Sequence, residues 1–183
     1  MVAAEAAIAG RNLKIMFQDE ARFGRLPVIR SAWAPPGVRP VVPAAVERQF
    51  RYIYGAVSPF DGDVDWLVTE EMNTVNMNLF LRQISEKYCD DYILMVVDGA
   101  SSHKGEMLKV PNNMAILGLP PYSPELNPAE HLWDELREKV CANAFFHTLD
   151  QVVMCVVDEL EWIARATSKN ISMFLWPWII NSF

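Results

Sequence analysis

The sequence predicts an α/β domain with a mixed sheet, and three observations predict it. Residues 50–57 (FRYIYGAV) and 64–69 (VDWLVT) are aromatic and β-branched and flank the turn-forming SPFDGD, so they should pair as antiparallel strands. Residues 92–97 (YILMVV) are apolar at every position, the pattern of a strand covered by helices on both faces. The C-terminal third carries two helical stripes, each introduced by capping residues. With 183 residues, 51% hydrophobic and 21% charged, the chain makes one domain with a sizeable core, and disorder is excluded as its main state.

Residues 1–11, beginning MVAAEAAIAG, read as the stub of an upstream segment or an expression remnant and are set aside from the fold. LKIMFQ at 13–18 is a strand ending at Asp19-Glu20. Residues 21–49 are rich in Arg, Pro and Gly; PPGVRP tolerates no helix, so they form a long hairpin or loop with a short β-like piece at 28–33. After the antiparallel pair, residues 74–86 place Val75, Leu79 and Ile84 at near-helical spacing. The 92–97 strand stops at Asp98-Gly99, and a short helix near 103–109 and a strand at 114–117 follow. The prolines of LPPYSPELNPAE require an irregular loop. Asn127 and Pro128 then open a helix as N-cap and first residue, with Ala129, Leu132, Trp133, Leu136 and Val140 in one stripe. Thr148 and Gln151 make a capping box for the last helix, whose apolar face runs from Leu149 to Ala164. The domain is expected over residues 12–170. The tail at 171–183 is too apolar to stay in water, so it docks on its own domain or joins a partner.

Three cysteines, Cys89, Cys141 and Cys155, form no CxxC pair, which argues against a disulfide framework and a cysteine zinc site. No apolar run reaches the roughly 20 residues of a membrane span, so the expectation is a cytoplasmic protein with no membrane partner. The net charge of −7 disfavours nucleic acid on average. Residues 1–51 nevertheless hold eight basic side chains against four acidic ones, which leaves −11 on the other 132 residues.

Asp19 and Asp98 are each the first acid after an apolar strand, and ligands of open α/β sheets bind beyond the carboxyl ends of the strands. Each also has a plainer reading, Asp98 as a turn residue before Gly99 and Asp19 as a solvated strand end. Glu130 lies three residues after Asn127, so it either closes a capping box or leans toward the sheet beside Trp133, and one rotamer cannot do both. Three acids without a glycine-rich phosphate loop point to divalent-metal chemistry, in which two ions bind the attacking and leaving oxygens of phosphoryl transfer. Glycoside hydrolysis, the rival use of paired acids, has no further support. The histidines 103, 131 and 147 make no metal spacing, and Ser101, Ser102 and Ser123 lack a GxSxG elbow. Arg22, Arg25, Arg30 and Arg39 form the basic stretch next to Asp19, either a solvated hairpin or a contact for DNA phosphates.

The string LPPYSPELNPAEHLWDELREKV at 119–140, with DGASSH at 98–103 and FQDEARFGR at 17–25, resembles the catalytic domain of mariner-type DDE transposases, and most nearly their bacterial insertion-sequence branch. The resemblance spans about residues 12–165. It implies a ribonuclease-H-like fold, a five-stranded mixed sheet flanked by helices. It further implies Asp19, Asp98 and Glu130 as the catalytic triad holding two Mg2+ or Mn2+ ions. His103 matches the histidine after the second acid, and with Lys104, Arg22, Arg25 and Arg30 completes the candidate DNA contacts. Trp33, Pro35, Pro36 and Gly37 resemble the family's Trp-x-Pro-x-Gly element. Two departures stand out: Gly99 replaces the usual Asn, and Asp98 and Glu130 are 32 positions apart, a few fewer than the family pattern.

The implied activity is cleavage of DNA phosphodiesters at element ends followed by strand transfer from the 3′ hydroxyl. A remnant that only binds and a stand-alone ribonuclease-H-like nuclease are the alternatives. The expected partners are DNA, a second copy of the chain in a homodimer, and a DNA-reading segment encoded upstream, which would make this chain a C-terminal fragment or the second product of a split gene.

Overall fold

A computed structural model describes residues 10–45, 47–98 and 107–182. Its centre is a five-stranded sheet in the order β3-β2-β1-β4-β5. The strands are β1 (Asn12–Gly24), β2 (Phe50–Val57), β3 (Val64–Thr69), β4 (Asp91–Val97) and β5 (Met114–Gly118). β1, β2 and β3 form an antiparallel meander, whereas β1, β4 and β5 run parallel, so the sheet is mixed as expected. The parallel half needs crossovers, and α1 (Thr74–Lys87) supplies the one from β3 to β4. Asn73 caps α1 by accepting from the Asn76 amide.

Side-chain alternation in β1 divides the core in two. Ile15, Phe17, Ala21 and Phe23 face one layer; Met16 faces the other, with Tyr54 and the α1 residues Met77, Phe80, Leu81 and Ile84. The first layer is covered by α2 (Ala129–Leu136), extended by a π turn at Arg137–Cys141, and by α3 (Leu149–Ala164). The capping box at Thr148 and Gln151 is present, as the sequence predicts. Two short helices, α4 (Thr167–Phe174) and α5 (Pro177–Ser182), complete this layer. Their Phe174 and Ile179 are fully buried, and the Trp178 ring meets Phe17 edge-on at 5.9 Å. The apolar tail therefore docks on its own domain, the first of its two expected places. Asn170 fastens it by donating to the carbonyls of Gly62 and Ile163.

Three details differ from expectation. β1 does not end at Asp19-Glu20 but continues to Gly24, because residues 17–24 pair with β2 in register from Phe17 opposite Val57 to Gly24 opposite Phe50. Charged residues in this half obscure a normal half-buried alternation, with Ala21 and Phe23 inside and Arg22 outside. The 28–33 piece is no strand: Val28 makes one isolated bridge to Ala142. α2 begins at Ala129, with Pro128 in the cap position, one residue later than predicted. The helix expected near 103–109 lies mostly outside the described residues. Cys89, Cys141 and Cys155 are all free thiols, and among the described residues no helix is long and apolar enough to cross a membrane.

Candidate active site

The site arises where β1 outlasts its parallel neighbour. β4 pairs with β1 only from Asn12 opposite Asp91 to Phe17 opposite Val96 and stops at Val97. Continuing that register by two places sets Asp98 alongside Asp19, across the point where the strands part. Asp19 is thus a mid-strand residue that faces the crevice because β4 has ended. β5 ends level with it, at Gly118 opposite Val97, and the next residue, Leu119, donates its amide to the Val97 carbonyl at 2.8 Å. The proline-rich loop then folds over the opening.

A cleft of about 380 Å³ results, lined by Asp19, Asp98 and Glu130 with the loop from Leu119 to Pro124 and Asn127. The three acids named from the sequence share it. Tyr122 stands at its rim, fully exposed and with a φ of 58°, a left-handed backbone that costs a non-glycine residue energy and is common near functional sites.

The start of α2 is pinned to β1 twice. Asn127 is buried; its amide donates to the Gln18 carbonyl at 3.0 Å while its oxygen accepts from the Ala129 amide at 3.1 Å. Trp133 donates its indole N–H to Asp19 Oδ2 at 2.9 Å. Glu130 lies between these pins, three residues from each, and among the described residues its carboxylate makes no capping-box bond; the Asn127 amide donates instead to the Pro124 carbonyl. Of the two readings of Glu130, the one facing the sheet holds.

Burial pushes the Asp19 carboxyl up to about 7, and the nearby Glu130 charge adds to the shift; bonds from the Glu20 amide and the Trp133 indole oppose it. Asp19 is only 9% exposed. Among the described residues no group of three or more histidines, cysteines, aspartates or glutamates is close enough together to hold a metal ion as it stands. Asp19, Asp98 and Glu130 face the cleft from β1, from the end of β4 and from α2.

The basic candidates scatter. Arg25 is committed internally, donating to Glu47, to Gln49 and to the Phe146 carbonyl. Arg30 pairs with Glu138 at 3.4 Å. Arg22 is exposed, stacks over Phe50 at 5.0 Å and points to the opposite face of the sheet from Asp19. His103 and Lys104 lie outside the described residues. Sequence reasoning missed the double duty of Asn127 and the polar duty of Trp133. The latter had a readable signal, one helical turn after Glu130 on the same face.

Residues 14–153 match the family model described as DDE superfamily endonuclease. The chain belongs to the DDE superfamily endonuclease family. An uncharacterised protein of Sinorhizobium fredii, y4pE/y4sA, is 37% identical over 103 residues, which is 56% of this chain and 76% of that protein. Among solved structures, the Mos1 transposase paired-end complex with left transposon end matches with a TM-score of 0.61 at 17% identity over 88% of this chain. The Mos1 mariner paired-end complexes with Mn and with Mg match with TM-scores of 0.61 and 0.60. These likenesses establish the ribonuclease-H-like fold. The chain spans about half the length of the Mos1 chains it matches.

Proposed function

We propose that this chain is the catalytic domain of a DNA transposase, which hydrolyses phosphodiesters at the ends of its element and then joins the freed 3′ hydroxyl to target DNA. The observation that carries the reading is the single cleft shared by Asp19, Asp98 and Glu130. Three carboxylates are hard oxygen donors, and they fit Mg2+ or Mn2+ better than a nitrogen- or sulfur-preferring metal. Two such ions, held by Asp19, Asp98 and Glu130, would supply positive charge to the attacking and leaving oxygens of phosphoryl transfer. The chain's own part is positioning: the rigid centre of the sheet carries Asp19 and Asp98, and the pinned start of α2 carries Glu130. The opening between β1 and β4 would receive the phosphate, with the proline-rich loop forming one wall.

DNA is the substrate in this reading; the exposed Arg22, on the opposite face of the sheet from Asp19, would hold its backbone away from the cleft, His103 and Lys104 would hold it nearer, and Arg25 and Arg30, engaged with acids of the fold, would add little. Two element ends require two catalytic copies, hence a homodimer, and reading of the end sequence belongs to a separate DNA-binding segment. The test is nicking of supercoiled plasmid by the purified chain in Mn2+. Expected are nicked circles that vanish with EDTA and in Asp19→Asn. Nicking without joining of a supplied 3′ end would favour a stand-alone nuclease, and no nicking at any metal concentration would favour a binding remnant.

A further inference from the structure

Trp133 stands outside the triad, yet three independent features direct it at Asp19. Its ring is buried, 1% exposed, and its indole N–H donates to Asp19 Oδ2 at 2.9 Å. Its ring also fills a slot that exists only because residue 55 is glycine: a Cβ there would lie 2.4 Å from Cη2 and 2.8 Å from Cζ2 of the indole. Gly55 is moreover the register partner of Asp19 on the neighbouring strand. The missing side chain on β2 therefore lets the ring lie across the sheet directly beside the acid on β1. Phe23 closes the slot, with its ring centroid 6.2 Å from the indole.

A buried indole N–H needs an acceptor, and the one Trp133 takes is not a backbone carbonyl but a carboxylate of the cleft. We infer that Trp133 is a positioning residue for the cleft: its N–H fixes the orientation of the Asp19 carboxylate while its helix carries Glu130 one turn away, so that one side chain sets the spacing of two acids. The inference rests on the proposed metal-binding role of the cleft. Groups that orient metal-binding side chains typically change metal affinity 10- to 100-fold when removed.

The test compares the full chain with Trp133→Phe, which keeps an aromatic ring in the slot and removes the N–H. Mn2+ affinity is measured by calorimetry, folding by thermal melting, and the Trp133 indole N–H resonance is followed during Mg2+ titration. Expected are Mn2+ binding weakened at least tenfold in Trp133→Phe with a melting midpoint within a few degrees, and an indole resonance that moves as Mg2+ saturates the wild type. Trp162→Phe, an exposed indole on α3, should leave the affinity unchanged. If Trp133→Phe melts early, Gly55→Ala, which displaces the same ring, gives a second route, and the indole titration of the wild type needs no variant. Wild-type affinity in a folded Trp133→Phe, or an indole resonance indifferent to saturating Mg2+, overturns the inference alone. A wild-type chain that binds neither ion overturns the metal reading as well.

Discussion

The molecule holds two groups of acids whose chemistry runs in opposite directions. In the turn between β2 and β3, Asp61 and Asp63 receive the Lys14 ammonium at 2.7 and 2.6 Å, and Asp65 on β3 receives Lys87 at 2.5 Å and the Tyr88 hydroxyl at 2.7 Å. Burial pushes Asp61 up, but hydrogen bonds from Lys14 and Ser58 and the lysine charge outweigh it and hold the carboxyl below its ordinary value. Lys14 loses by burial and regains more from the two aspartates, ending above its ordinary value. In the cleft, Asp19 is pushed the other way, by burial and by a second acid. The same residue type is held ionised by cations of the fold in one place and strained by its neighbours in the other. Structure accounts for the first group, whereas the second, in the proposed function, would receive a cation from solution.

The sharpest break between the groups is in activity. Asp19→Asn and Glu130→Gln should each lower DNA cleavage by roughly a thousandfold or more, since metal stabilisation is worth several kcal/mol and each 1.36 kcal/mol is tenfold. Lys14→Met should leave cleavage within about threefold at temperatures where it is folded. Plasmid nicking in Mn2+ measures all three, and equal losses in Lys14→Met and Asp19→Asn would erase the distinction.

Acid–base linkage separates the groups next. The folded-state pKa of Asp19, about 7, lies above its unfolded value near 3.8, so in EDTA the folded state holds a proton that the unfolded chain has released. Stability should fall as pH rises between those values and level off above 7. Asp19→Asn should remove this slope and gain roughly 2–4 kcal/mol on the wild type between pH 4 and pH 8 in urea denaturation. Asp61 has the opposite sign: its depressed pKa contributes stability above the unfolded value, lost as pH falls through the folded one. A wild type whose EDTA stability rises from pH 5 to pH 8 relative to Asp19→Asn would contradict the strained state of Asp19.

Smaller effects follow at the lysine and the arginines. Lys14→Met should cost about 2 kcal/mol, less than the 3–5 of a fully buried pair because Asp61 and Asp63 are 49% and 35% exposed. Chemical denaturation reads this directly, and an unchanged midpoint would mean that the pairs contribute nothing net. Arg22→Ala should flatten the salt dependence of DNA binding by about one unit of slope. Arg25→Ala should act mainly on stability, through Glu47 and the Phe146 carbonyl.

Much of this was legible in local patterns. The 50–57 and 64–69 strands coincide with β2 and β3, and the Thr148–Gln151 box caps α3, because alternation and capping are decided within a few residues. The second half of β1 was not, since its pairing with β2 is set by residues 26 to 40 positions away and overrides the acidic Asp19-Glu20 pair that looks like a strand end. The acids themselves were legible through a motif, but their shared crevice depends on β4 stopping at Val97, a property of register. The internal partners of Arg25 were not legible, because its acceptor at residue 146 is invisible along the chain, and the Asn127 bond to the Gln18 carbonyl is equally remote.

The central claim is that Asp19, Asp98 and Glu130 together hold the ions that cleave DNA. Anomalous diffraction from crystals of the chain soaked in Mn2+ tests it most directly. The account predicts peaks in the cleft within bonding distance of Asp19, Asp98 and Glu130 carboxylate oxygens, lost in Asp19→Asn. Mn2+ bound only at the Asp61–Asp63 turn or elsewhere on the surface, with an empty cleft at saturating metal, would contradict it.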